Sequence, residues 1–229
     1  MSQAAAEVPH RSQPLPLPPQ DLDLSRFPSR TIAAGQRLYR AHAQVFGNNC
    51  WYFANLQNGL EPGRFDGPGP AHGTCYTATD PLTALAERAG FKVLVGPDLP
   101  YTALDEALLS EITTTRPYHV ANLTRRDSLK FWACGRELSA LTPYDLPHAW
   151  AQRWQDAGFE GILYHPRHDS RDRVRSLALF EPDDPGQRPD HHPGPADVYL
   201  KRLAHAYHLP IGGHLTDCEV LPDPDPTTT

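Results

Sequence analysis

The chain has 229 residues, enough to bury one good core, and a net charge of −6 with an isoelectric point near 6.0. That acidity gives no electrostatic footprint for nucleic acid, and no run approaches the length of a membrane span. No apolar segment follows basic residues at the N-terminus, so a cytoplasmic protein without a secretory leader is expected.

Hydrophobic residues make up 39% and mean hydropathy is −0.53. The polar excess sits at the ends, because residues 1–30 hold six and residues 181–229 nine of the 25 prolines. Residues 1–30 read as a Pro-rich, disordered tail that contributes little to the core. Residues 31–182 read as the globular domain, and residues 183–229 as a Pro-rich extension with one helix. Cys50, Cys75, Cys134 and Cys218 are widely spaced, without a C-x-x-C pair, which suits reduced cytosolic thiols.

Order is expected to begin near Ser29. Residues 37–42 read as a strand that carries Tyr39 and Arg40 to opposite faces. After a loop over 46–63 come Gly63-Arg64-Phe65-Asp66 and a strand over 73–78. Asp80 and Pro81 then open a helix over 81–89, with Leu82, Leu85 and Ala89 on its apolar face. Glu87 lies off that stripe, so packing does not explain it. Its plain alternative is a solvated glutamate paired with Arg88.

Residues 91–95 read as a strand, 102–110 as a short helix and 118–123 as another strand. Thr124 is expected to cap a helix over 125–134 that Gly135 ends. The clearest helix is 143–157, where Trp150 and Trp154 recur at i, i+4 and Gly158 supplies the stop. Residues 161–164 and 176–180 are apolar runs that read as buried strands around a charged loop, Arg167 to Arg175. A late helix is expected over 196–208. Strands and helices mix without a βαβ rhythm, so the predicted class is α+β, a compact mixed sheet with flanking helices.

A carboxylate, arginines and a tyrosine on neighbouring elements can hold an anionic ligand and act on a bond that develops positive charge. The N-glycosidic bond of nicotinamide is such a bond. The four arginines of the 167–175 loop are interrupted by aspartates, which makes it a solvated loop rather than a nucleic-acid patch; Arg167 alone is kept as a phosphate contact. His205, His208, His214 and Cys218 fit no zinc spacing, so no metal is expected. No Gly-rich phosphate loop or G-x-S-x-G elbow is found.

In order, Leu38-Tyr39-Arg40, Gly63-Arg64-Phe65-Asp66, Gly73-Thr74-Cys75-Tyr76 and Ala84-Leu85-Ala86-Glu87 resemble the RES-domain family, the toxin half of Xre-RES toxin–antitoxin pairs. The likeness continues through Val120 to Thr124, Gly158 to Tyr164, Arg167-His168-Asp169 and Leu177 to Phe180, covering about residues 35–181. It implies a fold similar to ADP-ribosyltransferases of the diphtheria-toxin type, NAD as substrate and an Xre-type antitoxin as partner. It also implies Glu87, Arg40 and Tyr76 as catalytic residues, and Arg40, Arg64, Tyr76 and Arg167 as the NAD-binding set. Within that set Glu87 would stabilise the ribosyl cation and the arginines would grip the pyrophosphate. Tyr76 would stack on a ring of NAD or hydrogen-bond its ribose.

The leading expectation is an NAD-consuming toxin acting by hydrolysis or phosphorolysis. A protein ADP-ribosyltransferase with the same site is its rival. The family's tyrosine-x-serine-arginine pattern reads Tyr164-His165-Pro166-Arg167 here, without the hydroxyl. That departure favours a third reading, a catalytically weak domain that binds NAD or a partner. Ser170 and Ser176 are the hydroxyls nearest in sequence, and Ser176, opening an apolar strand, reads as structural.

Overall fold

The computed structural model describes residues 15–46, 50–57, 62–93, 98–131, 135–182 and 193–212. In chain order come β1 (Ser29–Ile32), β2 (Arg37–Ala43), β3 (Gly73–Ala78), α1 (Pro81–Val93) and a short β4 (Leu99–Pro100). Next are β5 (Ala107–Thr113), β6 (Tyr118–Asn122), α2 (Gly135–Ala140), α3 (Asp145–Asp156) and β7 (Gly161–Tyr164). The last are β8 (Ser176–Glu181), β9 (Gly194–Pro195), α4 (Leu200–Ala206) and β10 (Ile211–Gly212).

Eight strands form one sheet in the order β1-β6-β7-β8-β3-β2-β5-β9, while β10 and β4 make a separate parallel pair. Within the large sheet β6 and β7 run parallel and the other neighbours antiparallel. The fold is α+β, a large mixed sheet with flanking helices.

One face of the sheet, with Leu38, Cys75, Ile112, Val120 and Leu177, packs against Trp51 and Phe53. The other face has two separate covers. α3 lays Trp150 and Trp154, each 0% exposed, near Ala121, Ile162 and Ala178. Truncating either indole to alanine would cost about 3–5 kcal/mol. α1 and α4 cover Ala78, Ala107 and Leu109. The gap between these covers is where the site lies.

α1 forms as its sequence dictates. Asp80 Oδ1 accepts the Thr83 N–H at 3.1 Å, and Leu85 and Ala89 are buried. Gly158, at φ +86°, takes the left-handed conformation that ends α3.

Four local expectations are corrected. Residues 91–93 continue α1 rather than starting a strand; 94 and 95 lie outside the described residues. Residues 102–110 do not form a helix, because pairing with β2 from Arg37↔Thr113 to Ala43↔Ala107 overrides helical propensity. Over 125–134 the structure has a 3₁₀ run, Arg126–Phe131, and Gly135 begins α2 instead of ending a helix. Thr124 does not cap it: its hydroxyl and N–H both bond to Asn122 Oδ1, and Ser128 Oγ turns back to the Arg125 carbonyl.

The fourth correction concerns the N-terminal tail. Leu15, Leu24 and Phe27 are buried in the core under α3. Trp150 Nε1 donates to the Pro16 carbonyl at 3.1 Å, and Arg153 Nη2 to the Leu22 carbonyl at 2.6 Å. Leu15, Leu24 and Phe27 thus belong to the core, because two indole-rich turns of α3 need an apolar cover. Residues 1–14 lie outside the described residues.

Candidate active site

The site begins where two strands part. β2 and β3 pair at one position, Tyr39↔Ala78, while β2 stays paired with β5 along its whole length. Past that point a cleft of about 480 Å³ opens, lined by Arg40 and Ala41 on one strand and Tyr76 and Thr77 on the other. The register continues as Ala78↔Ser176 and Ser176↔Tyr164. Directly opposed residues share a face, so Tyr39, Ala78, Ser176 and Tyr164 form one row across four strands. Two small residues between two phenols make a trough that can seat a flat ring. Ser176 is 1% exposed, and its Oγ stands beside the Tyr164 phenol without a hydrogen bond of good geometry among the described residues.

One wall is the Gly63–Asp66 turn. The Tyr76 hydroxyl donates to Asp66 Oδ1 at 2.7 Å and accepts the Phe65 N–H at 2.7 Å. Asp66 Oδ2 accepts the Gly63 N–H at 2.7 Å, and His148 Nε2 sits 2.8 Å from the Gly63 carbonyl. Burial raises the pKa of Asp66, against the pull of Tyr76 and the Gly63 amide, and burial beside Asp66 raises that of Tyr76 well above its ordinary value. A Cβ on Gly63 would stand 2.6 Å from the Tyr76 ring, so only glycine allows this approach. The turn delivers Arg64, whose Nη1 donates to the Leu141 carbonyl and whose guanidinium lies 4.7 Å from the Tyr144 ring centroid.

The opposite wall is α1 with residues 166–169. Glu87 Oε1 accepts the His168 N–H at 2.7 Å. Burial raises the Glu87 pKa, opposed by the His168 amide and the Arg64 charge. The His168 ring lies against Gly90, where a Cβ would come within 2.2 Å of it. Burial also lowers the His168 pKa, helped by Arg167 and Arg64. The Arg167 side chain is exposed at the lip and has no ion pair among the described residues.

The five residues singled out from sequence, Arg40, Arg64, Tyr76, Glu87 and Arg167, all line this cleft. Two differ from expectation in what they do there. Arg40 is 8% exposed, and its Nη1 is spent on the Cys50 and Tyr52 carbonyls at 2.8 and 2.6 Å and on Cys75 Sγ at 3.0 Å. It anchors the 50–52 segment. Among the described residues no carboxylate forms an ion pair with it, and its charge acts on the buried Asp66 carboxyl from behind the cleft. The Tyr76 hydroxyl is fully engaged by the turn, which leaves it no hydrogen bond for a ribose and only its ring for the cleft.

The charged loop is not merely solvated. Asp169 is 5% exposed; burial would raise its pKa, but hydrogen bonds from Arg171 and Thr83 hold it below the ordinary range. Arg171 Nη2 also reaches Asp80 Oδ1 at 2.7 Å, fastening the loop to the start of α1. Pro166 is buried beneath it. Sequence reasoning missed Tyr39, Thr77, Tyr144 and His168, and assigned Tyr164 and Ser176 to structure. For Tyr39, Tyr164 and Ser176 the signal is the strand register, which no local motif reveals; Tyr144 opens α3 and His168 lies in the loop after β7.

Among the described residues no group of three His, Cys, Asp or Glu side chains converges as a metal site, and His214 and Cys218 lie outside them. No described helix is long and apolar enough to cross a membrane.

A family model described as RES domain matches residues 37–199. No curated protein matches the chain. Among solved structures, a chain of the M. tuberculosis MbcT–MbcA toxin–antitoxin complex aligns over 76% of this chain and 92% of its own, with 12% identity and a TM-score of 0.49.

Proposed function

The chain belongs to the RES-domain family, and on that premise we propose that it is an NAD-consuming toxin that cleaves the nicotinamide N-glycosidic bond. NAD is its substrate in the cytoplasm, and an antitoxin of the Xre type is the partner that restrains it. The observation that carries this reading is the charge pattern of the cleft. Arg40, Arg64 and Arg167 surround a single half-buried carboxylate, Glu87, beside the Tyr39–Tyr164 trough. Cations around a buried carboxylate suit a substrate that is anionic at one part and becomes cationic at another.

In this reading Arg64 and Arg167 meet the pyrophosphate, where charge-assisted hydrogen bonds are the strong kind. The nicotinamide ring sits between the phenols of the trough, with the attached ribose towards Glu87. The bond between ribose C1′ and the ring nitrogen breaks, its electron pair leaves with the ring, and nicotinamide departs neutral. The Glu87 carboxylate stabilises the oxocarbenium-like ribosyl centre that remains. Water or inorganic phosphate then adds to C1′, the water losing a proton to solvent. Holding Glu87 by the His168 amide fixes the carboxylate before substrate arrives, so its orientation need not be organised during the reaction.

The test is incubation of the purified chain with NAD and separation of the products. Nicotinamide with ADP-ribose marks hydrolysis, a phosphorylated ADP-ribose formed only with phosphate marks phosphorolysis, and labelled protein marks transfer. NAD left intact by the wild-type chain, in vitro and in cells expressing it, overturns the reading.

A further inference from the structure

A second cavity, of about 310 Å³, adjoins the cleft and shares Arg167 and His168 with it. Its walls are largely apolar, Ala86 and Gly90 of α1, Leu99 of β4, and Leu203, Tyr207 and Leu209 from the C-terminal stretch around α4, with Asp169 and Ser170 on the side of the charged loop. The Tyr207 hydroxyl is buried and, among the described residues, has no hydrogen bond of good geometry, although it stands near the Asp169 carboxylate. Both Asp169 oxygens are already taken by Thr83 and Arg171. The phenol can therefore donate to a guest without breaking an existing bond. At the mouth shared with the cleft stands the unpaired Arg167 guanidinium.

These features define one kind of guest. It has a flat apolar body, an acceptor on its edge and an anionic group several bonds away. We propose that this cavity binds the adenine end of the dinucleotide, with the pyrophosphate passing Arg167 into the cleft. The proposal rests on the NAD reading and adds to it a subsite and a role for the C-terminal stretch. It also links the two ends of the substrate. The wall between the cavities is held by Glu87 through the His168 amide, and the His168 ring lies on Gly90. A purine seated there presses on the segment that orients the carboxylate, so binding remote from the reacting bond helps to set the reacting geometry.

The experiment titrates the full chain with AMP and, separately, with nicotinamide mononucleotide by calorimetry, and measures KM for NAD. Wild type is expected to bind both mononucleotides. Tyr207→Phe removes only the unpartnered hydroxyl and should weaken AMP about five-fold, with a parallel rise in KM for NAD and no change for nicotinamide mononucleotide. Leu203→Trp fills the cavity and should abolish AMP binding; its melting temperature is checked alongside, and Tyr207→Phe carries the test if that variant unfolds. Absence of AMP binding by wild type overturns the proposal, as does NAD and AMP affinity unmoved in Tyr207→Phe. AMP binding that responds to Tyr207→Phe in a chain that consumes no NAD keeps the purine site and removes the NAD reading instead.

Discussion

On the Gly63–Asp66 side of the cleft the polar groups are used up: Tyr76 both donates and accepts, Asp66 receives two donors, and His148 meets the Gly63 carbonyl. On the floor and the α1 side they are not. Among the described residues the buried Ser176 hydroxyl has no hydrogen bond of good geometry and Arg167 has no ion pair, and Glu87 is half-buried with a raised pKa. Burying an unsatisfied polar group costs roughly 1–3 kcal/mol, a cost that a ligand offering a partner atom would offset at the cleft. The satisfied side is scaffold, and the unsatisfied side is where a ligand would be met. Mutations should divide accordingly, the first group moving stability and the second moving activity.

The largest effect is expected at Glu87. Glu87→Gln keeps an oxygen for the His168 N–H and loses the charge, so NAD binding should persist while turnover falls about 10²–10³-fold. The sign for stability runs the other way. A carboxylate whose folded pKa is raised costs stability above that pKa, so the glutamine variant should melt at the same temperature or higher at pH 7. The same raised pKa puts the acid limb of kcat/KM above the ordinary glutamate value of about 4.3, and Glu87→Gln should flatten that limb. A variant that turns over NAD at the wild-type rate removes Glu87 from the mechanism.

Arg64 straddles the two classes, since part of its guanidinium is held by the Leu141 carbonyl and Tyr144 while the rest lines the cleft. Arg64→Ala should raise the dissociation constant for NAD by about ten-fold or more, as for loss of one charge-assisted contact, with a smaller change in melting temperature. A large stability loss with unchanged NAD affinity would move Arg64 wholly into the scaffold.

Tyr76→Phe tests the scaffold side. It leaves the Phe65 N–H and the buried Asp66 each short of a partner, a loss of about 1–3 kcal/mol of stability. Removing the phenol also removes one of the influences that hold the Asp66 pKa down, so the deficit should be greatest at neutral pH and narrow as acidification protonates Asp66. Denaturant unfolding at pH 7 and pH 5 reads it directly. Equal deficits at both would mean that Asp66 does not depend on this hydrogen bond for its charge.

Much of this division was legible in sequence, but unevenly. The Gly63–Asp66 turn, Tyr76, Glu87 off its helix stripe and exposed Arg167 are local signals, and the structure brings them to one cleft. What local signals cannot carry is register. Tyr39, Ala78, Ser176 and Tyr164 lie on four strands far apart in the chain, and only the pairing Tyr39↔Ala78↔Ser176↔Tyr164 makes them a trough. The N-terminal segment was hidden for another reason: prolines break its periodicity, while Leu15, Leu24 and Phe27 are buried by tertiary contact with α3. Arg40 was found as a residue but not as an anchor, because its acceptors are backbone carbonyls that no side-chain pattern records.

The smallest expected effect is the most discriminating. Ser176 opens an apolar strand and by sequence reads as structural, with Pro166 standing where the family pattern has its serine. In the sheet, Ser176 lies between Ala78 and Tyr164 on the cleft floor, and its hydroxyl has no hydrogen bond of good geometry. Removing an unpartnered buried hydroxyl loses no bond in the free protein, so Ser176→Ala should leave the melting temperature unchanged or slightly higher. If the hydroxyl meets the nicotinamide or its ribose, the same change should cost about five-fold in kcat/KM for NAD, the worth of one neutral hydrogen bond. Pro166→Ser, buried beneath the charged loop, should then add little, because the floor already supplies a hydroxyl. A Ser176→Ala chain that is destabilised yet consumes NAD normally would return Ser176 to the scaffold. In that case a gain of activity in Pro166→Ser would show that the missing family hydroxyl had been limiting.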